Sequence, residues 1–226
     1  MDFGKASAYI ESLYENRKLT QKQYTDDTEL KDFVPVVDDD VARMLQVLIM
    51  MARPRKVLEI GTSIGFSTVS MAKVIKLYGG KIVTIEIDAE VARQAVKNFE
   101  REGVKEQIEV RIGDARTIIS GMDEEFNLIF QDVGDKKLYS EMIEDYIRVL
   151  KPGGLLIAED TLFPVFDFGS EFGDLTQMCE SLDTFNKKIA DCPQFESTLL
   201  SHLPRSWYWS RPKRNNRPCS NSGGYF

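Results

Sequence analysis

The run Val57-Leu-Glu-Ile-Gly-Thr-Ser-Ile-Gly-Phe-Ser67 decides how the rest of the chain is read. Val57, Leu58 and Ile60 form a short apolar run, as a strand buried on both faces requires. Gly61 and Gly65 follow it. In the next stretch, residues 67–77 (STVSMAKVIKL), Val69, Ala72, Val74, Ile75 and Leu77 recur at roughly helical spacing. The order is strand, glycine turn, helix. Glycine has no Cβ, so a ligand can approach backbone N–H groups at such a turn. The helix start adds a partial positive charge.

The spacing within the turn narrows the ligand. A dinucleotide site would read G-x-G-x-x-G and leave room for a pyrophosphate. Here the order is Glu59-x-Gly61-x-x-x-Gly65-x-Ser67, an acid at the strand end and two glycines. An acid there repels phosphate and attracts an ammonium. S-adenosylmethionine (SAM) carries an ammonium and no phosphate, so it suits this turn. The same turn also serves as a plain βα connection in other α/β proteins.

The 226 residues suffice for one α/β domain with a sizeable core. With 42% hydrophobic and 29% charged residues, the composition is that of an ordinary globular chain. No apolar run approaches the roughly 20 residues of a membrane span. The N-terminus lacks the apolar core of a secretory signal. Cys179, Cys192 and Cys219 show no metal-binding spacing, and their odd number argues against a disulfide framework. A reducing cytoplasm is the default location. Net charge is −7, unevenly spread. Residues 205–226 hold Arg205, Arg211, Lys213, Arg214 and Arg217 and no acid, so this tail is +5 and the remainder −12. An acidic body argues against nucleic acid as the main substrate. The basic tail reads as a solvated end or a contact for an anion or another subunit.

Taken in order, residues 5–17 are expected to form an amphipathic helix with Tyr9, Ile10, Leu13 and Tyr14 on one side. Residues 21–31 are polar, a loop or short helix placed on the domain edge or a partner. Residues 33–37 are extended because of Pro35. Asp38, Asp39 and Asp40 supply an N-cap and first-turn acids for a helix over 41–51. Strands over 81–85, 108–112, 126–130 and 155–158 then alternate with helices over 89–102, about 115–121 and 139–150. Lys151-Pro-Gly-Gly154 stops the last of these. A less ordered segment at 163–173, a helix over 174–190 and a strand over 195–200 close the pattern. Such alternation predicts a parallel sheet covered on both faces.

Each of the five strands ends in or beside an acid: Glu59, Glu86, Asp114, Asp132, and Glu159 with Asp160. Ligands of open α/β sheets bind beyond these carboxyl ends. Any one acid could be a helix N-cap, but together they line one rim. Glu86 is placed to accept both hydroxyls of a ribose, and Asp114 with Ala115 to meet an adenine edge. Asp132, Glu159 and Asp160 form a second cluster. Three converging carboxylates repel one another, and a hard divalent cation such as Mg²⁺ relieves that repulsion. Lys136 and Lys137 follow Asp132. Either could act as a general base beside the cluster, or both could simply neutralise Asp132 and Asp135.

These pieces together resemble the cation-dependent O-methyltransferase family that includes catechol and caffeoyl-coenzyme A O-methyltransferases, its bacterial and archaeal members in particular. The matching runs are VLEIGTSIGFSTVSMA, IVTIEIDAE, Gly113-Asp-Ala115, FNLIFQDVGDKKLY, LKPGGLLIAEDTLF and DTFNKKIADCPQFESTLL, from about residue 34 to 200. The resemblance implies a Rossmann-like class I SAM-dependent methyltransferase fold. That is an α/β architecture with a mostly parallel seven-stranded sheet and helices on both faces. It also implies SAM and Mg²⁺ as cofactors, a phenolic or catechol-like acceptor, and a homodimer. By position, Val37, Glu59, Gly61, Ser63 and Ser67 would line the cofactor's methionine side, Glu86 its ribose, and Asp114 and Ala115 its adenine. Asp132 would also contact the cofactor, Asp132, Glu159 and Asp160 would hold the metal, and Asp132 and Lys136 would serve the chemistry. The expected organisation is an N-terminal helical segment at 1–32 packing on the domain or a partner, a methyltransferase domain at 33–204, and a divergent basic tail at 205–226.

Three departures from the family pattern stand out. Glu159-Asp160 replaces an Asp-Asn pair. The run from Asp132 to Lys136 is one residue longer than usual. After Leu200 the usual Pro-x-x-Asp-Gly turn is missing, although residues 206–210 could still form the final strand, with Trp207 and Trp209 on one face.

Overall fold

The computed structural model describes residues 3–14, 19–33, 36–166 and 173–200, together with the backbone of 206–210. The chain opens with α1 (Phe3–Tyr14) and α2 (Gln21–Asp26). α2 starts in a capping box: the Thr20 side chain accepts from the Gln23 N–H, and the Gln23 side chain accepts from the Thr20 N–H. α3 (Asp39–Ala52) follows Asp38, which occupies the N-cap position without a side-chain cap bond. Asp39 instead accepts the Gln21 N–H at 2.7 Å and so ties α2 to α3. The apolar face expected on the first helix is turned outward at Tyr9, Ile10 and Leu13. Tyr14 lies under the Arg43 guanidinium, 4.4 Å from the ring centre.

The βα alternation then follows as expected: β1 (Lys56–Ile60), α4 (Phe66–Ile75), β2 (Lys81–Glu86), α5 (Ala89–Arg101), β3 (Ile108–Ile112), α6 (Ala115–Ser120) and β4 (Phe126–Gln131). Two short helices come next, α7 (Lys137–Glu141) and α8 (Ile143–Val149), where a single helix is predicted from sequence. They meet at Met142, and both bury aromatic residues against the sheet, Tyr139 from the first and Tyr146 from the second. β5 (Leu150–Glu159) starts five residues earlier than expected. Lys151 to Gly154 are absorbed in a register shift against β4, between Phe126 and Leu128. Such an irregularity tolerates the proline, which has no N–H to give the ladder. α9 (Thr176–Ala190), β6 (Glu196–Thr198) and β7 (Ser206–Ser210) complete the chain.

The strand order is β3-β2-β1-β4-β5-β7-β6. The first five strands run parallel, and β7 runs antiparallel to both of its neighbours. One apolar cluster, on the side of α6 to α9, joins Leu58, Ile129, Tyr139, Tyr146 and Phe185. The other joins α2 to α5 through Tyr24, Leu45, Val69 and Phe99, together with Val57 and Phe130 of the sheet. Both faces of β1, β2, β4 and β5 are thus covered, and their buried segments read as near-continuous apolar runs, whereas the edge strand β3 alternates apolar and charged residues.

No helix among the described residues is long and apolar enough to cross a membrane. Cys179 is free and Cys192 is disulfide-bonded. The expectations placed on residues 15–18, 34–35, 167–172, 201–205 and 211–226 lie outside the described residues.

Candidate active site

The glycine turn passes directly over β4. Gly61 has φ +94°, and a Cβ there would lie 1.8 Å from the backbone oxygen of Asp132. Gly65 has φ +91° and abuts the Phe99 ring. Ser63, at φ +48°, donates its backbone N–H to Glu86 at 2.8 Å. Glu86 also accepts from the Asp88 N–H at 3.0 Å. The turn that would meet the cofactor is therefore tied to the acid expected at the ribose.

Glu59 lies beneath this turn at 0% exposure. Its carboxylate accepts from Ser67 Oγ at 2.7 Å, from Thr84 Oγ1 at 2.6 Å, and from Thr68 Oγ1. Ser67 therefore serves Glu59 in this structure, and Thr68 and Thr84 complete the hydroxyl cage. Burial pushes the Glu59 pKa up to about 7, against the three hydroxyl bonds that favour the charged form. A carboxyl with a raised folded-state pKa binds its proton more tightly in the native state than in the unfolded one. Its contribution to stability then falls as pH rises from about 4.5 to about 7. Replacing Glu59 with Gln should flatten this part of the stability–pH curve. The span lost is roughly 3 kcal/mol, measurable by urea unfolding at pH 5 and pH 8. An unchanged curve would mean that Glu59 does not titrate there.

The N-terminal segment locks the turn from the other side. Tyr24, fully buried, donates its hydroxyl to the Ile64 carbonyl at 2.9 Å. Asn98 donates to the same carbonyl at 3.0 Å and to Thr28 Oγ1 at 3.1 Å. Val37 is buried in the same cluster as Ile64 and Phe66. Residues 21–31, expected at an edge or against a partner, therefore brace the candidate cofactor turn. Asp114 caps α6 by accepting the Arg116 N–H at 2.7 Å, and Ala115 is buried beside it. Ile87, directly after Glu86, is 70% exposed and offers an apolar surface at that rim. Tyr24 and Asn98 lie in no matching run, and Thr84 and Ile87, though within IVTIEIDAE, were given no role from sequence. Only the run Glu86-Ile87-Asp88, an exposed apolar residue between acids, could have singled out Ile87.

Across the rim, Asp132, Glu159 and Asp160 each bring a carboxylate oxygen within 4.8 Å of the others. Adjacent strand residues normally face opposite sides of a sheet. Asp160 escapes this alternation because its φ is +63°, a left-handed turn immediately after β5. Glu159 is buried, and its Oε1 has no hydrogen-bond partner. Burial, together with the Asp132 and Asp160 carboxylates, raises its pKa well above the ordinary range. Lys136, at 5% exposure, points into the cluster, with Nζ 2.7 Å from Asp160 Oδ2 and 3.8 Å from Asp132 Oδ1. It also donates to Tyr139 Oη at 3.1 Å, a hydroxyl whose pKa burial raises. Lys137 is exposed and meets Asp135 through its backbone N–H. Of the two candidate lysines, the structure brings only Lys136 into the cluster.

The parallel sheet of order β3-β2-β1-β4-β5 with helices on both faces is the Rossmann-like class I SAM-dependent methyltransferase fold. The O-methyltransferase family profile matches residues 5–203, and the chain belongs to that family. A catechol O-methyltransferase of Niastella koreensis is 33% identical over 130 residues, 56% of this chain. The match covers 58% of that relative's length. A caffeoyl-CoA O-methyltransferase of Populus kitakamiensis is 27% identical over 158 residues, 68% of this chain and 64% of that protein. Among solved structures, a Bacillus cereus O-methyltransferase in complex with SAH superposes with TM-score 0.72 at 23% identity, covering 92% of this chain and 97% of that one. The O-methyltransferase TomG of Streptomyces achromogenes, in complex with SAM, gives TM-score 0.74 at 19% identity, covering 95% and 100%. At these identities the two structures speak for the shared fold.

Proposed function

We propose that this chain transfers the methyl group of SAM to a phenolic or catechol-like hydroxyl, with a divalent cation such as Mg²⁺ at Asp132, Glu159 and Asp160. The observation that carries this is the convergence of three carboxylates and Lys136 on the rim that also holds the glycine turn. The donor set fits a hard cation: all three ligands are oxygens, and Glu159 Oε1 is buried without a partner. Such a cation, when bound, supplies a Lewis acid that lowers the pKa of an acceptor hydroxyl.

The protein's own groups do the rest. Once its own proton has passed to solvent, Lys136 Nζ takes the hydroxyl proton as a neutral amine, and Tyr139 Oη and Asp160 fix where Nζ stands. Glu86 accepts from ribose hydroxyls, and Asp114 and Ala115 meet the adenine edge, with Ile87 as an apolar face for a ring. Glu59, Gly61, Ser63 and Ser67 shape the methionine side, and Val37 and Tyr24 support it from below. Holding the acceptor oxygen in line with the methyl group supplies much of the acceleration, because the sulfonium leaving group is already activated. Action in the cytoplasm as a homodimer, without nucleic acid or membrane, belongs to the same reading.

The test is calorimetric titration of SAM and S-adenosylhomocysteine (SAH) with and without Mg²⁺, followed by methyl-transfer assays on a catechol panel. Cofactor binding and Mg²⁺-dependent methylation are expected. Asp132→Ala should abolish the metal-dependent turnover and leave SAH affinity within about threefold, since the other cofactor contacts lie elsewhere on the rim. Full turnover in that variant would refute the metal assignment. A second reading, methyl transfer without metal, is favoured by one observation: Lys136 already gives the carboxylates a cation at 2.7 Å. Turnover that persists in excess chelator would select it. SAM or SAH binding without transfer to any acceptor, in either condition, would point to a SAM-binding protein.

A further inference from the structure

We infer that Arg116 is a positioning residue that couples the cofactor rim at Asp114 to the helix behind Lys136; this rests on the function proposed above. α7 is five residues long, and one guanidinium holds both of its ends. Arg116 Nη2 lies 2.8 Å from Asp135 Oδ2, just before Lys136. Arg116 Nε donates to Glu141 Oε2 at 2.7 Å, at the last residue of α7. The other Asp135 oxygen accepts the Lys137 N–H at 3.1 Å, so the same carboxylate fixes the first residue of α7.

On its other side Arg116 meets Asp114 twice. Its backbone N–H donates to Asp114 Oδ1 at 2.7 Å, and its Nη1 lies 3.7 Å from Asp114 Oδ2. An arginine in the first turn of a helix has the wrong sign for the helix dipole. The three acids around it, Asp114, Asp135 and Glu141, account for its place. A ligand edge that engages Asp114 must share that carboxylate with Arg116. Any displacement of the guanidinium then reaches both ends of α7, and through Asp135 it reaches Lys136. Arg116 itself touches neither the carboxylate trio nor Lys136. Its part is to set where α7 stands.

Full-length wild type, Arg116→Met, Arg116→Lys and Asp135→Asn are compared by amide hydrogen exchange with and without SAH. In wild type, SAH should slow exchange both in the glycine turn at 61–65 and in Lys137–Glu141. In Arg116→Met the turn stays protected, α7 loses its added protection, and SAH affinity changes by less than about threefold. The kcat falls by at least about tenfold with acceptor KM nearly unchanged, because a small misplacement of a catalytic group is enough for that. Arg116→Lys restores part of the loss, and Asp135→Asn reproduces it. Exposed ion pairs add little to stability, so the unfolding midpoint should move by only a few degrees. If SAH protects α7 equally in wild type and Arg116→Met, the coupling is overturned and the cofactor reading stands. If SAH fails to protect the turn in wild type, the cofactor reading falls and the coupling falls with it.

Discussion

Lys136→Met is expected to lower methyl transfer by roughly 10²- to 10⁴-fold, the usual worth of a positioned general base. SAH affinity should stay within about threefold, because the turn at Gly61 and the acid at Glu86 lie apart from the lysine. Methionine keeps the length of the side chain against Tyr139 and removes the charge. The loss would therefore report on the amine rather than on packing. The same change leaves Asp132, Glu159 and Asp160 without their internal cation. An uncompensated buried charge costs several kcal/mol, so the variant should also melt earlier. Mg²⁺ should restore the melting temperature and leave the turnover low. Lys137→Met is the control. That side chain is exposed, and turnover should stay within about twofold of wild type. If both variants keep full activity, neither lysine is the base. If only Lys137→Met is impaired, the extra residue between Asp132 and Lys136 has shifted the role one place along the chain.

Much of the fold was legible because parallel strands covered on both faces leave near-continuous apolar runs, and each strand here ends in or beside an acid. Glu59, Glu86, Asp114, Asp132 and Glu159 could be placed on one rim from those endings alone. Contacts between distant residues were not legible. Tyr24 braces the turn at Ile64, forty positions away, and nothing in the polar run around it marks a buried tyrosine. The hydroxyl cage of Glu59 draws on Thr84, which only the pairing of β1 with β2 brings near. Sequence also left Lys136 and Lys137 equivalent. They separate because one residue of helical rotation turns the first inward over Tyr139 and the second to solvent. Lys-Pro-Gly-Gly read as a helix stop, but α8 already ends at Val149, and β5, starting at Leu150, runs through all four residues. Propensity alone could not show the register shift that admits the proline.

Gly61→Ala is expected to cost more than about 4 kcal/mol, in the range reserved for a backbone collision in a core. Two separate effects add. The φ of +94° disfavours any side chain. The added methyl would also sit 1.8 Å from the Asp132 backbone oxygen and 2.8 Å from its carbonyl carbon. Both are backbone atoms and not the far end of a flexible side chain, and the preceding peptide is held by the Asp132 N–H to the Ile60 carbonyl at 2.9 Å. Relief requires β1 and β4 to part at their carboxyl ends. That movement would carry Asp132 out of its cluster with Glu159 and Asp160. Gly79→Ala isolates the first effect, since Gly79 has φ +77° and a methyl there would meet nothing within 4 Å. It should cost only about 1–2 kcal/mol. Urea unfolding of the two variants, with SAH titration of whichever folds, separates collision from strain. A Gly61→Ala protein as stable as Gly79→Ala would mean that the turn does not lie against β4. A Gly61→Ala protein that folds but binds neither SAH nor divalent cation would show that the cofactor turn and the carboxylate cluster depend on one backbone contact.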